Sequence, residues 1–220
     1  MTTVAILPMK PFEQAKQRLA PALGAGHRRA LAEAMFSDVL LAIRRTQAID
    51  QTYLITKDRT ALRMVGGGDV TVIDDTASSH SEATGLGIAR ALAEGAARVL
   101  LLPGDCPMID PAELGALLAH PVAERSALIV PDRHGEGTNA LLLTPPDSLT
   151  PSFGEGSRQR HLDLAIAQGA SPQVIDVPSL ALDVDTPEDF DVLMATLAST
   201  RGGAAHTRGL LTQLARSQAQ

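Results

Sequence analysis

Short apolar runs alternate with stretches of helical spacing along most of this chain, and that alternation constrains the fold more than any other feature. Thr3-Val4-Ala5-Ile6-Leu7-Pro8, Gln51 to Thr56, Val70-Thr71-Val72-Ile73 and Arg98 to Leu102 read as strands. So do Ala127 to Val130, Asn139 to Leu143, Val174-Ile175 and Leu180-Ala181-Leu182. Between them, His27 to Thr46 places Leu31, Ala34, Met35, Val39 and Ala42 on one helical face. Ser81 to Glu94, with Ser81 as cap and Gly95 as stop, reads as a second helix. Pro111 to Leu118, with Asp110 as cap, Ser157 to Gln168, stopped by Gly169, and Pro187 to Leu197 follow. Gly66-Gly67-Gly68 reads as a turn. Strands alternating with helices predict βαβ units, hence an α/β fold with a mostly parallel sheet. The pattern stops at Ser199. Residues 1–199 are expected as one domain, and 200–220 as a glycine-containing linker leading to a loosely attached helix.

In such a sheet, ligands bind beyond the carboxyl ends of the strands. Two acidic turns fall there. Gly104-Asp105-Cys106-Pro107 follows one apolar run, and Asp183-Val184-Asp185-Thr186-Pro187 follows another. Asp110 is the better cap for the helix at Pro111, which leaves Asp105 free for a ligand. In an extended Asp183-Val184-Asp185 the carboxylates point to opposite faces, and Asp185 is nearer the following helix. Thr186 and Glu188 read as plain helix capping. Two carboxylates brought within a few Å repel by a few kcal/mol at an effective dielectric near ~20, so a cation is expected between Asp105 and Asp185 if they converge. A hard divalent cation such as Mg²⁺ suggests phosphate chemistry.

The chain carries 19 basic against 25 acidic residues, net −6, which disfavours nucleic acid as a partner. Its basic residues are nonetheless clustered: Lys10, Lys16, Arg18, Arg28 and Arg29 stand against Glu13 alone between residues 10 and 29. The loop after the first strand lacks the glycine fingerprints of dinucleotide-binding and P-loop folds. Lys10, Lys16 and Arg18 are candidates to supply by side-chain charge what glycine-loop amides supply elsewhere; an ordinary solvated basic loop is the bland alternative. Ser152 to His161 opens a helix with two glycines, a serine, Arg158, Arg160 and His161, either an anion site or a flexible loop with an N-cap at Ser157. His161 by itself reads as a surface histidine. Thr138 and Asn139, after a glycine-rich stretch, stand where a polar ligand could meet a strand end. Cys106, the single cysteine, reads as a small buried hydrophobe. No apolar run approaches the ~18 residues of a membrane span, and the start lacks the regions of a signal peptide, so a soluble cytoplasmic protein is expected.

Taken in order, Pro8-Met9-Lys10 with Ala15-Lys16-Gln17-Arg18-Leu19, Gly104-Asp105-Cys106-Pro107, Gly137-Thr138-Asn139-Ala140, Phe153-Gly154-Glu155-Gly156-Ser157 and Asp183-Val184-Asp185-Thr186-Pro187 resemble the CofC/FbiD family over residues 3–198. That family lies within the nucleotidyltransferases related to molybdenum-cofactor guanylyltransferase. The resemblance implies a single-domain Rossmann-like fold of GT-A type, with helices flanking a mostly parallel sheet. It implies transfer of GMP from GTP to phosphoenolpyruvate, 3-phospho-D-glycerate or 2-phospho-L-lactate, with release of pyrophosphate, in coenzyme F(420) biosynthesis.

Carried onto this chain, the resemblance implies Mg²⁺ on Asp105 and Asp185. Lys10, Lys16 and Arg18 then hold the triphosphate, and Gly85 and Gly87 let the backbone approach the nucleotide. Thr138, Gly154 and Ser157 seat the acid, with Arg158 assisting. GTP and a small phospho-acid are the expected partners, and a homodimer is compatible with this picture. A nucleotide-sugar transferase of the same fold, using Asp183-Val184-Asp185, and a non-catalytic nucleotide-binding module remain the alternatives.

Overall fold

The first strand, β1 (Thr3–Pro8), is buried at all six positions, so it belongs inside a sheet covered on both faces. In the computed structural model, which describes residues 1–66 and 68–218, it lies near the middle of a seven-stranded sheet. The other strands are β2 (Gln51–Ile55), β3 (Val70–Ile73), β4 (Arg98–Leu101), β5 (Ser126–Pro131), β6 (Thr138–Thr144) and β7 (Ser171–Val174). Their order is β3-β2-β1-β4-β6-β5-β7, and only β6 runs antiparallel to its neighbours. The order reverses between β1 and β4, which opens a crevice at the carboxyl edge. Because β6 is antiparallel, its first residues, Thr138 and Asn139, reach that same edge.

Alternate side chains divide the core. Ala5, Leu7, Leu100 and Leu102 face one layer with Phe36 and Val39. Val4, Ile6, Val99 and Leu101 face the other with Ile88 and Ala165. The helices are α1 (Ala25–Arg45), α2 (Arg59–Met64), α3 (His80–Ala93), α4 (Pro111–Leu118), α5 (Ser157–Ala167), α6 (Pro187–Ser199) and α7 (Ala205–Gln218).

Several local readings are corrected. The cap of α3 is Ser79, whose hydroxyl accepts from the Glu82 amide; Ser81 instead accepts from the Phe153 amide across the cleft, at 3.0 Å. The α2 helix goes unread in the sequence, although its cap Asp58 accepts from the Thr60 and Ala61 amides. Leu180-Ala181-Leu182 is no strand: Pro178–Leu180 forms a 3₁₀ turn, and the Asn139 amide group donates to the Leu180 carbonyl at 2.7 Å. Of the Gly66-Gly67-Gly68 turn, Gly67 lies outside the described residues, as do residues 219–220 of the tail.

The C-terminal helix is tied down. Asp38 of α1 is buried and accepts from the His206 and Thr207 amides, both at 2.9 Å, so one helix caps another. Ala204 and Leu211 join a third apolar cluster with Leu31 and Met35 of α1 and Leu193 of α6. Asp38→Ala is expected to lower stability by about 1–2 kcal/mol, read from the urea midpoint, and to speed proteolytic cleavage within 200–205. An unchanged midpoint and cleavage rate would show that Asp38 does not hold the helix.

Candidate active site

The crevice between β1 and β4 widens into a cleft of about 960 Å³. Lys16 is its pivot. Its ammonium donates to Asp105 Oδ2 and, at 2.7 Å, to Asp185 Oδ1. The positive charge that stands between the two aspartates here is the Lys16 ammonium, where the sequence predicts a divalent cation. Lys16 has φ +57°, a left-handed backbone uncommon outside glycine and asparagine, which turns the loop after β1 back onto the sheet edge. Its side chain is only 6% exposed. Burial alone would lower its pKa; the Asp105 and Asp185 charges outweigh burial and hold it above the ordinary lysine range. Lys16 is thus a fixed positive charge and not a proton acceptor.

The two acidic turns are stitched together by the Val184 amide, which donates to the Asp105 carbonyl at 3.3 Å. The α6 cap aims Asp185: the Asp189 carboxylate accepts from the Asp185 and Thr186 amides and is braced by Arg133 at 2.9 Å. Asp183 lines the same cleft outside the Lys16 bridge. It accepts from Asn139 at 3.2 Å, and burial, with the Asp105 charge second, pushes its pKa up to about 6.

Among the described residues no group of three or more His, Cys, Asp or Glu side chains forms a metal cluster. Two carboxylates nevertheless fit a hard cation of the magnesium kind, which takes one or two protein carboxylates and completes its shell with water and phosphate oxygens. The donor atom is at hand: Asp105 Oδ1 is buried and has no hydrogen-bond partner.

The basic cluster divides. Lys10 and Arg18 are exposed and line the cleft. Arg28 donates to the Leu23 carbonyl, and Arg29 pairs with Glu33 and Glu13, away from the cleft. Gly85 and Gly87 also fall outside it. Gly87 is buried against β1, where a Cβ would lie 2.5 Å from Ile6 Cγ2, so its task is helix–sheet contact and not approach to a nucleotide. It is Ser79 and His80 of the α3 N-terminus that reach the cleft.

At the far end stand Thr138, Gly154 and Ser157. The hairpin before Thr138 is held by Asp132, which accepts from the His134, Glu136 and Gly137 amides; a Cβ at Gly137 would lie 2.5 Å from that carboxylate. Gly154 and Gly156 take φ +112° and +66°. Arg160 spends its donors on the carbonyls of Ser152, Phe153 and Glu155, which shapes the loop. Arg158 is not among the residues that line the cleft; its guanidinium lies against Gly135 of the hairpin, where a Cβ would come within 3.6 Å of it. His161 is fully buried, contrary to its reading as a surface histidine. It bonds Thr138 at 3.0 Å and the Ser152 amide at 2.9 Å, and Phe153 packs edge-on against its ring.

Comparison with known proteins follows this geometry. The family model described as "Guanylyl transferase CofC like" matches residues 3–215, which includes much of α7. A phosphoenolpyruvate guanylyltransferase of Conexibacter woesei is 55% identical over 219 residues, 99% of this chain and 98% of that protein. Among solved structures, a Desulfovibrio desulfuricans protein named a nucleotide-diphospho-sugar transferase superposes with TM-score 0.76 at 19% identity, over 97% of this chain and 95% of that one. A Mycobacterium tuberculosis protein crystallised with manganese shares the fold at TM-score 0.53 and 18% identity, over 89% of this chain and all of that one. No helix among the described residues is long and apolar enough to cross a membrane.

Burial, with the Arg160 charge second, holds the His161 pKa down to about 4, against 6.5 for an ordinary histidine. As pH falls, the unfolded chain takes up this proton first, so stability drops between pH 6.5 and about 4 and levels off below. The contribution is about 3 kcal/mol. His161→Gln, which cannot titrate, is expected to lose correspondingly less stability than the wild type between pH 7 and 4, measured by urea unfolding at each pH. Identical pH slopes for the two proteins would contradict the buried neutral histidine.

Proposed function

The chain belongs to the CofC-like guanylyl transferase family, and from that premise we propose that it joins GMP from GTP to phosphoenolpyruvate and releases pyrophosphate, in the formation of coenzyme F(420). The single observation that carries the site is the meeting of Asp105, Asp185 and Lys16 at the β1–β4 crevice, with Asp105 Oδ1 buried and unpartnered. Phosphoenolpyruvate is the acceptor because a 55% identical, full-length relative bears that activity in its name.

The acceptor phosphate oxygen is ionised at neutral pH, its second pKa lying near ~6 as for other phosphate monoesters. It forms a bond to the α-phosphorus of GTP while the bond from that phosphorus to the β-bridging oxygen breaks, and pyrophosphate leaves. No general base is needed, so the protein contributes position and charge. Asp105 and Asp185 would hold a divalent cation, magnesium in this reading. When bound, that ion neutralises phosphate charge and orients the reacting groups. Lys16, buried and permanently charged, serves the transferring phosphoryl group. Lys10 and Arg18, exposed on the cleft wall, hold the rest of the triphosphate. Thr138, Gly154 and Ser157 seat the acid.

Pyrophosphate release, followed for each nucleoside triphosphate against each of the three acids, is expected to be fastest by at least about tenfold, a 1.4 kcal/mol preference, with GTP and phosphoenolpyruvate. Faster turnover with 3-phospho-D-glycerate or 2-phospho-L-lactate would reassign the acceptor. Hydrolysis of a nucleotide sugar, with no pyrophosphate from GTP, would point to the sugar-transferase alternative. Asp105→Ala is expected to cut turnover at least about a hundredfold while the melting temperature stays within a few degrees. Near-normal turnover in that variant would remove Asp105 from the metal site.

A further inference from the structure

The Thr138 hydroxyl is hydrogen-bonded to a side chain that does not line the cleft. His161 lies in α5, is 0% exposed and does not line the cleft. Its Nε2 faces the Ser152 backbone N–H at 2.9 Å. An amide can only donate, so Nε2 must be the unprotonated nitrogen. A neutral imidazole then carries its proton on Nδ1. Nδ1 lies 3.0 Å from Thr138 Oγ1, so the ring donates and the hydroxyl accepts. The single proton of that hydroxyl is left over. Among the described residues no protein group accepts it, and Thr138 lines the cleft.

The ring cannot easily choose another arrangement. Phe153 packs edge-on against it at 5.1 Å and in turn against His80 at 5.0 Å. Arg160, the nearest cation, gives its hydrogen bonds to the loop carbonyls and none to the imidazole. One buried residue thereby joins the two halves of this end of the cleft, the start of β6 and the loop that carries Gly154 and Ser157.

We propose that His161 is a positioning residue that fixes the Thr138 hydroxyl as a hydrogen-bond donor into the cleft, so that this end favours a small acid presenting an anionic oxygen. This rests on the reading above that Thr138 belongs to the acid site. A donor with its direction fixed rewards an accepting oxygen, most of all an anionic one, and leaves a donating group unmatched.

The test is a double-mutant cycle with phosphoenolpyruvate and GTP, following pyrophosphate and recording a thermal melt for every variant. Thr138→Val removes the donor and should raise the acid KM about tenfold or more, with the GTP KM within about twofold. An unchanged acid KM in this variant alone would overturn the acid-site reading, and the relay with it. His161→Gln keeps an acceptor for the Ser152 amide but has no N–H in place of Nδ1. It should raise the acid KM about tenfold in the wild-type background and add little to Thr138→Val, because the two act through one bond. Effects that multiply in full, or a GTP KM that rises as much as the acid KM, would overturn the relay while leaving Thr138 in the site. His161→Asn, whose amide can take the place of Nδ1–H, should stay within about threefold of the wild-type acid KM. It decides the matter should the Gln variant not fold, and a rise as large as that of Thr138→Val would count against the proposal.

Discussion

The arrangement of the cleft depends on one electrostatic constraint: two aspartates from distant turns cannot share the mouth of a crevice unless a positive charge stands between them. Lys16 supplies it. Three otherwise independent features serve that contact. The strand order reverses between β1 and β4, which brings the loop after β1 beside the turn after β4. The Val184 amide ties the second acidic turn to the first. The Asp189 capping box fixes the start of α6 and so the position of Asp185. Carboxylates held this way leave one oxygen, Asp105 Oδ1, without a protein partner among the described residues. Such a site binds a small hard cation only weakly by itself and well when phosphate oxygens complete the shell. That suits an enzyme whose proposed metal arrives with the nucleotide.

Much of this was legible in the sequence because the signals are local. Apolar runs of four to six residues, Asp110 before Pro111, and Thr186 before Pro187 mark strands and helix starts without knowledge of the rest of the chain. Asp105 is readable at the sheet edge because it follows β4, whereas Asp185 reads as its neighbour through a strand at 180–182 that the fold does not have; the Val184 amide is what brings the second turn in. Direction was not legible. A lysine in a basic loop reads the same whether it faces a ligand or turns inward onto two carboxylates, and only the left-handed backbone at Lys16 decides. Gly87 reads as a glycine near a nucleotide until Ile6 is seen against it. Arg158 and Arg160 sit two positions apart near a helix start, yet one lies against the hairpin at Gly135 and the other braces the loop at Ser152. The tail illustrates the same limit, because its cap, Asp38, is separated from it by more than 160 residues.

The two ends of the cleft are built on different physical terms. At the end proposed for the nucleotide, Lys10 and Arg18 are exposed, long side chains that offer charge without fixed direction. Triphosphates suit such a surface, because any of several oxygens can accept and the attraction falls off slowly with distance. At the end proposed for the acid the groups are short and enclosed. Thr138 and Ser157 are buried, the loop takes two positive-φ glycines, and Arg160 spends its charge on backbone carbonyls instead of on a ligand.

That contrast bears on how one fold can serve several three-carbon acids. Charge alone separates them poorly, because each carries a phosphate and a carboxylate. A fixed donor is met by an anionic oxygen of each of them, and it acts instead against a molecule that sets a donating group there, at a cost of about 1–3 kcal/mol for the unmatched group. In this chain the direction at Thr138 is set from behind by a histidine whose own state is set by a backbone amide, and burial keeps that histidine neutral at physiological pH. A relative that replaced His161 would reverse or free the Thr138 hydroxyl without altering any residue that lines the cleft. The hold on the acid's anionic oxygen would then be sought one layer behind the pocket wall, in residues whose effect reaches the substrate through a single oriented proton.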